Sequence, residues 1–320
     1  MFDALTGQLM TNAHHLAPDL RLNGARVLLD DRFEDTSISL SSGLICRDGG
    51  RPVDLSGCVL LPGIIDLHIG ATDRPLPVLS AQLTAAGTTT AYLAQPWGWQ
   101  GGACIPDTAR TLATALAAWT GGIDLRMQLR VEVQMNAEFN AIARFVRAAR
   151  VGYVMLLPNQ RAHSSQGYMA NVSVAQLIAE LPPVRLGLHG AADAAMRDMG
   201  VSIVEFPTDA PANGDIVLSA ATVMQGRGAA CVVMASGYDN HTPLDVVRHL
   251  VAQGMPLPQA WHLVSAGPAR VMGVADRGQI AVGRRSDLVV LDQRDLSLVA
   301  TVARGRPVWI RPDMVDRLAG

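Results

Sequence analysis

The sequence predicts an α/β protein: a (β/α)8 TIM-type barrel with a small β-sandwich formed by both chain ends. Three observations lead there. Eight continuous apolar runs, the pattern of parallel strands covered on both faces, alternate with helical patterns through the middle of the chain. Eight strands in roughly 215 residues suit a compact barrel, whose chemistry sits at the C-terminal ends of the strands. Short β-type runs broken by Gly turns occupy both ends of the chain, each set too short to bury a face alone. A doubly wound sheet is the alternative fold, although no GxGxxG follows a strand.

The first of the end pieces, residues 20 to 57, carries Asn-Gly, Ser-Gly and Gly-Gly turns, and the second, 278 to 310, alternates around Gly283 and Gly305. The domains expected are therefore 1–60 with 278–320 as the sandwich, and 61–277 as the barrel. The apolar runs lie near 59–68, 89–94, 125–134, 152–157, 184–189, 201–206, 215–219 and 230–236. Helices are expected in "DTARTLATALAAW" with Asp107 as N-cap and in "NAEFNAIARFVRAAR" with Asn136. A third is expected in "TPLDVVRHLVAQG", where Thr242 caps, Pro243 sits at N1 and Gly254 ends the helix.

Composition narrows the chemistry. In 320 residues there is no lysine, so all 26 Lys+Arg residues are arginine, set against 28 acids for a formal charge of -2. A carboxylated-lysine metal bridge, a Schiff base and a Walker-type phosphate lysine are thereby excluded. With no basic block, nucleic acid and anionic membrane are not expected as partners, and a small molecule is. Cys46, Cys58, Cys104 and Cys231 form no CxxC pair, which argues against a zinc knuckle and for a reduced, cytoplasmic setting. No apolar segment reaches membrane-spanning length, and "MFDALTGQLM" lacks the basic start of a leader. A homo-oligomer is compatible with all of this.

His68, Glu132 and His189 fall at or near the ends of the first, third and fifth predicted barrel strands. Two imidazoles and a carboxylate converging there would hold one divalent metal, zinc first among candidates. The alternative is structural: core histidines, with Glu132 paired to Arg130 or another arginine. Arg161 and His163 in "NQRAHSSQG" have the composition of a phosphate-binding loop, or of a merely solvated one. Trp97 and Trp99 either line a pocket or pack a lid, and His14 and His15 read as surface residues.

The stretches "LLPGIIDLH", "AAGTTTAYLAQPWGWQGG", "LRVEV", "MGVSIVEFPT" and "LPQAWHLVSAGPARVMGVADRGQIAVGRRSDLVVLD" resemble the amidohydrolase superfamily. "VEFPT" and "AYLAQPWGW" are similar, more narrowly, to the phosphonate-pathway diphosphatases that hydrolyse ribose methylphosphonate triphosphate. The resemblance implies a metal-dependent hydrolase with His68 as first ligand, Glu132 as bridging carboxylate and His189 as a later ligand. It also exposes losses. Gly70 stands at the second ligand of the His-x-Asp pair, and Leu156 and Leu157 stand at an Asp-His step. Gly190 and Ala191 replace two acids, and Gly237 replaces the aspartate that serves as base and ligand. Asp239 and His241, just beyond Gly237, are the candidates to replace that base, against a plain loop acid beside a helix start. The expectation is a divergent superfamily protein with its metal centre reduced or lost. An active one-metal hydrolase of a phosphorylated or small cyclic substrate, built on His68, Glu132 and His189, is the alternative.

Overall fold

A computed structural model describes residues 18–70, 73–98, 105–157, 167–190, 198–207, 215–226, 233–237 and 241–318, with no side-chain description for 167–173. The chain begins with seven strands: β1 (Leu20–Asn23), β2 (Arg26–Leu29), β3 (Arg32–Asp35), β4 (Ile38–Ser41), β5 (Leu44–Cys46), β6 (Arg51–Asp54) and β7 (Cys58–Pro62). The barrel strands follow: β8 (Ile64–Ile69), β9 (Thr88–Trp97), β10 (Asp124–Glu132), β11 (Tyr153–Leu157), β12 (Arg185–His189), β13 (Ile203–Glu205), β14 (Asp215–Ser219) and β15 (Val233–Ala235). The last three are β16 (Leu288–Asp292), β17 (Leu298–Ala303) and β18 (Arg306–Ile310).

β8 to β15 form one eight-stranded sheet in sequential order. All of its neighbouring pairs are parallel. A single bridge between Ile69 and Gly237 closes it into a barrel, with the Gly237 amide donating to the His68 carbonyl at 3.2 Å. The two outer sheets have orders β5-β4-β1-β6 and β18-β17-β16-β7-β2-β3. β16 runs antiparallel to β7 over five residue pairs, so the chain ends share a sheet. Leu20, Leu22, Leu40 and Leu60 from the first end pack with Leu288, Val290 and Val302 from the last in one buried cluster. Joint burial gives both short strand sets an apolar face that neither would complete alone.

The apolar run expected as one strand near 59–68 is two. β7 belongs to the outer sheet and β8 to the barrel, and the chain changes sheets at Gly63. A Cβ built there would lie 2.2 Å from Thr89 Oγ1, so only glycine allows the backbone this close to β9. Hydrophobicity alone does not mark that break, because both halves are buried.

Helices cover the barrel. In Phe139–Ala148 the buried residues are Phe139, Ile142, Ala143 and Val146, one helical stripe that packs with Leu129, Val131 and Val154. Pro243–Ala252 starts as expected: Thr242 and Asp245 form a reciprocal capping box, Pro243 opens the first turn and Gly254 follows with φ +96°. Two expected caps are different. Pro106–Ala117 is preceded by Ile105 with no side-chain cap, and Asp107 lies in its first turn, paired with Arg110 at 2.6 Å. Asn136 opens a 3-10 turn, Asn136–Glu138, and the α-helix begins only at Phe139.

Candidate active site at the barrel mouth

The alternation of a strand puts Gln128, Arg130 and Glu132 of β10 on one side of the sheet, and Gln128 donates to the Leu67 carbonyl inside the barrel at 3.3 Å. By the same rule Asp66 and His68 of β8 point one way. β13 contributes Glu205 beside His189 of β12, its partner in register. These residues meet around one carboxylate. Glu205 Oε1 lies 3.0 Å from His68 Nδ1 and accepts from Gln128 Nε2 at 2.8 Å. Its Oε2 accepts from Arg130 at 2.5 Å and lies 3.0 Å from His189 Nδ1.

Arg130 reaches further. The same guanidinium nitrogen also lies 3.2 Å from His68 Nδ1 and 3.1 Å from Gln128 Oε1, and its other terminal nitrogen is 3.1 Å from His189 Nδ1. The Glu205 and His68 side chains are fully buried and that of Arg130 is 4% exposed, while His189 is 21% exposed and is the member nearest solvent. Burial pushes the Glu205 carboxyl upward, but hydrogen bonds from His189 and His68 and the charges of His68 and Arg130 outweigh it and hold the group well below the usual carboxylate range.

Phe206 covers this cluster, its ring 5.1 Å from that of His68 and 5.8 Å from that of His189. Its φ is +50°, a conformation that bulky residues avoid and that sites tolerate when the surroundings fix it. Beneath, Asp66 is buried and takes the Ser236 hydroxyl together with the amides of Ser236 and His68, both at 3.1 Å. Burial raises the Asp66 pKa, and those hydrogen bonds only partly offset it. Asp66 therefore ties β8 to the end of β15 where the barrel closes.

Of the expected metal residues, His68 and His189 are brought to the same carboxylate. Glu132 accepts from Gln134 Nε2 at 2.7 Å and faces Gly98, where a Cβ would lie 2.6 Å from its Oε1. The alternative for Glu132, a pair with Arg130 or another arginine, is not what Arg130 does: its ion pair is with Glu205. Among the described residues no group of three or more His, Cys, Asp and Glu side chains has metal-holding geometry. The donor set does not fit the divalent ion that the fold implies, since both Nδ1 atoms and Glu205 Oε2 already contact the Arg130 guanidinium and Glu205 Oε1 accepts from Gln128.

The positions that the resemblance marks as departures have these structural settings. Gly237 has φ +75°, and a Cβ there would lie 3.0 Å from the Ser219 Cβ. Leu156 packs outward with Leu129 and Phe139, whereas Leu157 turns to the cluster that includes Tyr153 and Phe206. His241 is exposed ahead of the Pro243 helix. Asp239, Arg161, His163, Trp99, His14, His15 and Ala191 lie outside the described residues, as do Cys104 and Cys231; Cys46 and Cys58 are free thiols. Trp97 is fully buried, its indole N–H donating to Glu138 at 3.3 Å, and so packs rather than lining a pocket. Glu205 was legible only as the acid of "VEFPT", and Arg130 only as the arginine of "LRVEV"; nothing in the sequence joins two strands three places apart.

Cavities flank the barrel among the described residues. One of about 280 Å3 opens beside the ends of β8 and β9, lined by Gly70, Asp73, Arg74, Gln95, Thr108 and Thr111. A larger one, about 610 Å3, lies beside the starts of β10 and β11, at Arg126, Met127 and Gly152. That is the stabilising end of such a barrel rather than its reactive end, so size does not make it the active-site candidate.

Comparison with known proteins agrees with this architecture. The Amidohydrolase family profile matches residues 234–309. An adenine deaminase from Methylobacterium sp. (strain 4-46) is 24% identical over 96% of this chain, which spans 61% of that protein. The β-aspartyl dipeptidase of Fervidobacterium islandicum AW-1 superposes with a TM-score of 0.65 at 14% identity, over 91% of this chain and 97% of that one. A zinc-bound adenosine deaminase from Xanthomonas campestris gives 0.55 at 14%, over 92% and 93%.

The fold is that of the amidohydrolase superfamily. The superfamily resemblance read from the sequence is supported, and these relatives are deaminases and a dipeptidase rather than phosphonate-pathway diphosphatases. Among the described residues, no helix is long and apolar enough to cross a membrane.

Proposed function

We propose that this chain is a divergent amidohydrolase-superfamily protein that binds a small polar molecule at the barrel mouth, with metal-dependent hydrolysis reduced or lost. The observation that carries this is the state of Glu205: fully buried and engaged by Arg130, Gln128, His68 and His189, it has no oxygen left over for a reaction. His189, partly exposed beside Phe206, is the group a ligand meets first. The absence of a basic block in the sequence favours a small-molecule partner over nucleic acid or a membrane surface, and a homo-oligomer is compatible with it.

The test is a turnover assay of the purified protein with added zinc or manganese, against adenine, a β-aspartyl dipeptide and ribose methylphosphonate triphosphate. Turnover is expected to be undetectable or very low. Robust turnover abolished by His68→Ala would overturn the reading. One observation favours a second reading, an active one-metal hydrolase on His68, Glu132 and His189: both imidazole Nδ1 atoms lie 3.0 Å from Glu205, which brings two of those three residues to one place. In that reading Asp239 or His241 supplies the base, and Asp239→Asn or His241→Ala would abolish the turnover.

A further inference from the structure

We infer that the guanidinium of Arg130 holds the position of a catalytic cation in this barrel, so that His68, His189 and Glu205 are organised around a side chain instead of a divalent ion. The inference rests on the reading of the mouth as the functional site and concerns what occupies its centre. One terminal nitrogen of Arg130 contacts Glu205 Oε2, Gln128 Oε1 and His68 Nδ1, and the other contacts His189 Nδ1, all between 2.5 and 3.2 Å. A zinc ion needs nitrogen and oxygen lone pairs at about 2.0–2.2 Å. An ion held by the two Nδ1 atoms and Glu205 Oε2 would need the place the guanidinium already takes, so at that centre the two cations compete.

Charge argues the same way. Glu205 and Arg130 cancel inside a nearly closed site; adding a dication would leave two uncompensated positive charges within a few ångströms, in surroundings that screen them poorly. Geometry explains why arginine can do this. Its planar fork presents several N–H donors in fixed directions and so spans both histidines and the carboxylate, which a point-like ammonium could not. Gln128, neutral and fully buried, completes the ring by donating to Glu205 and accepting from Arg130. Arg130 is thus a positioning residue, setting both imidazoles through contacts with their Nδ1 atoms.

The experiment is elemental analysis of wild-type protein purified without chelator, a thermal melt of it with zinc or EDTA, and titration of Arg130→Ser with cobalt(II). Wild type is expected to carry no stoichiometric metal and to melt at the same temperature with either additive. Arg130→Ser vacates the centre between two imidazoles and a carboxylate; it should take up one cobalt per chain, seen by its visible absorption, and Arg130→Ser/Glu205→Gln should not. Stoichiometric metal in wild type, a zinc-induced rise in its melting temperature, or a folded Arg130→Ser that takes up no cobalt would each overturn the inference. Should Arg130→Ser fail to fold, the wild-type measurements decide alone. Turnover in a metal-free wild type would defeat the proposed function and leave this inference standing, whereas metal without turnover would do the reverse.

Discussion

Arg130→Met tests the network through stability. It removes the cation from a carboxylate that is fully buried, and breaking one side of a buried pair typically costs about 3–5 kcal/mol because the remaining charge is stranded. Glu205 would still have Gln128 Nε2 at 2.8 Å and two imidazoles at 3.0 Å, so the loss belongs at the lower end, about 3 kcal/mol. Arg130→Met/Glu205→Gln removes both charges and keeps the shape. It should cost about 1 kcal/mol or less, because replacing a whole buried pair is often neutral. Glu205→Gln alone strands the guanidinium and belongs with the larger losses. Urea unfolding followed by circular dichroism, on wild type, both single variants and the double variant, gives the four corners of a cycle, with an expected coupling of at least about 2 kcal/mol. If Arg130→Met costs under about 1 kcal/mol, or the double variant costs the sum of the singles, Arg130 and Glu205 are not the mutually dependent pair described here.

Acid should weaken the fold through Asp124. Arg126 and Arg277 overcome the upward push of burial and lower this carboxyl from 3.8 to about 2. A depressed folded-state pKa means stability that is complete above the unfolded value and is lost as pH falls through the folded one. About 2 kcal/mol should therefore disappear between roughly pH 4 and pH 2, and Asp124→Asn should remove that part of the pH dependence in denaturant melts. Gly237→Asp, which installs the aspartate that the sequence resemblance expects there, should destabilise by about 1–3 kcal/mol because φ is +75° and the new Cβ meets Ser219; a gain in melting temperature with zinc would contradict this. Thr242→Ala breaks the capping box and should cost about 1 kcal/mol by urea melt, with Thr242→Ser close to wild type. Gly63→Ala should lower stability by about 1–3 kcal/mol through the clash with Thr89, and an unchanged melt would mean that the crossing from β7 to β8 is not tight.

The sequence by itself determined the repeated elements. Burial on both faces writes a continuous apolar run into each barrel strand, and capping chemistry writes Thr242-Pro243 ahead of a helix, so both are visible within a few residues of chain. It also placed His68 and His189 at strand ends. The split at Gly63 was hidden because β7 and β8 are equally apolar; what separates them is the approach of Thr89, a contact between segments. Tertiary structure alone decided the centre of the site. Arg130 has an acid two residues away in Glu132, and local reading pairs them; in the fold Arg130 turns instead to Glu205, 75 residues on, while Glu132 takes Gln134. Barrel closure causes this, since it brings β8, β10, β12 and β13 around one axis. A buried carboxylate there is best compensated by the guanidinium that several partners can fix at once, and no pattern along the chain records which strands will share that axis.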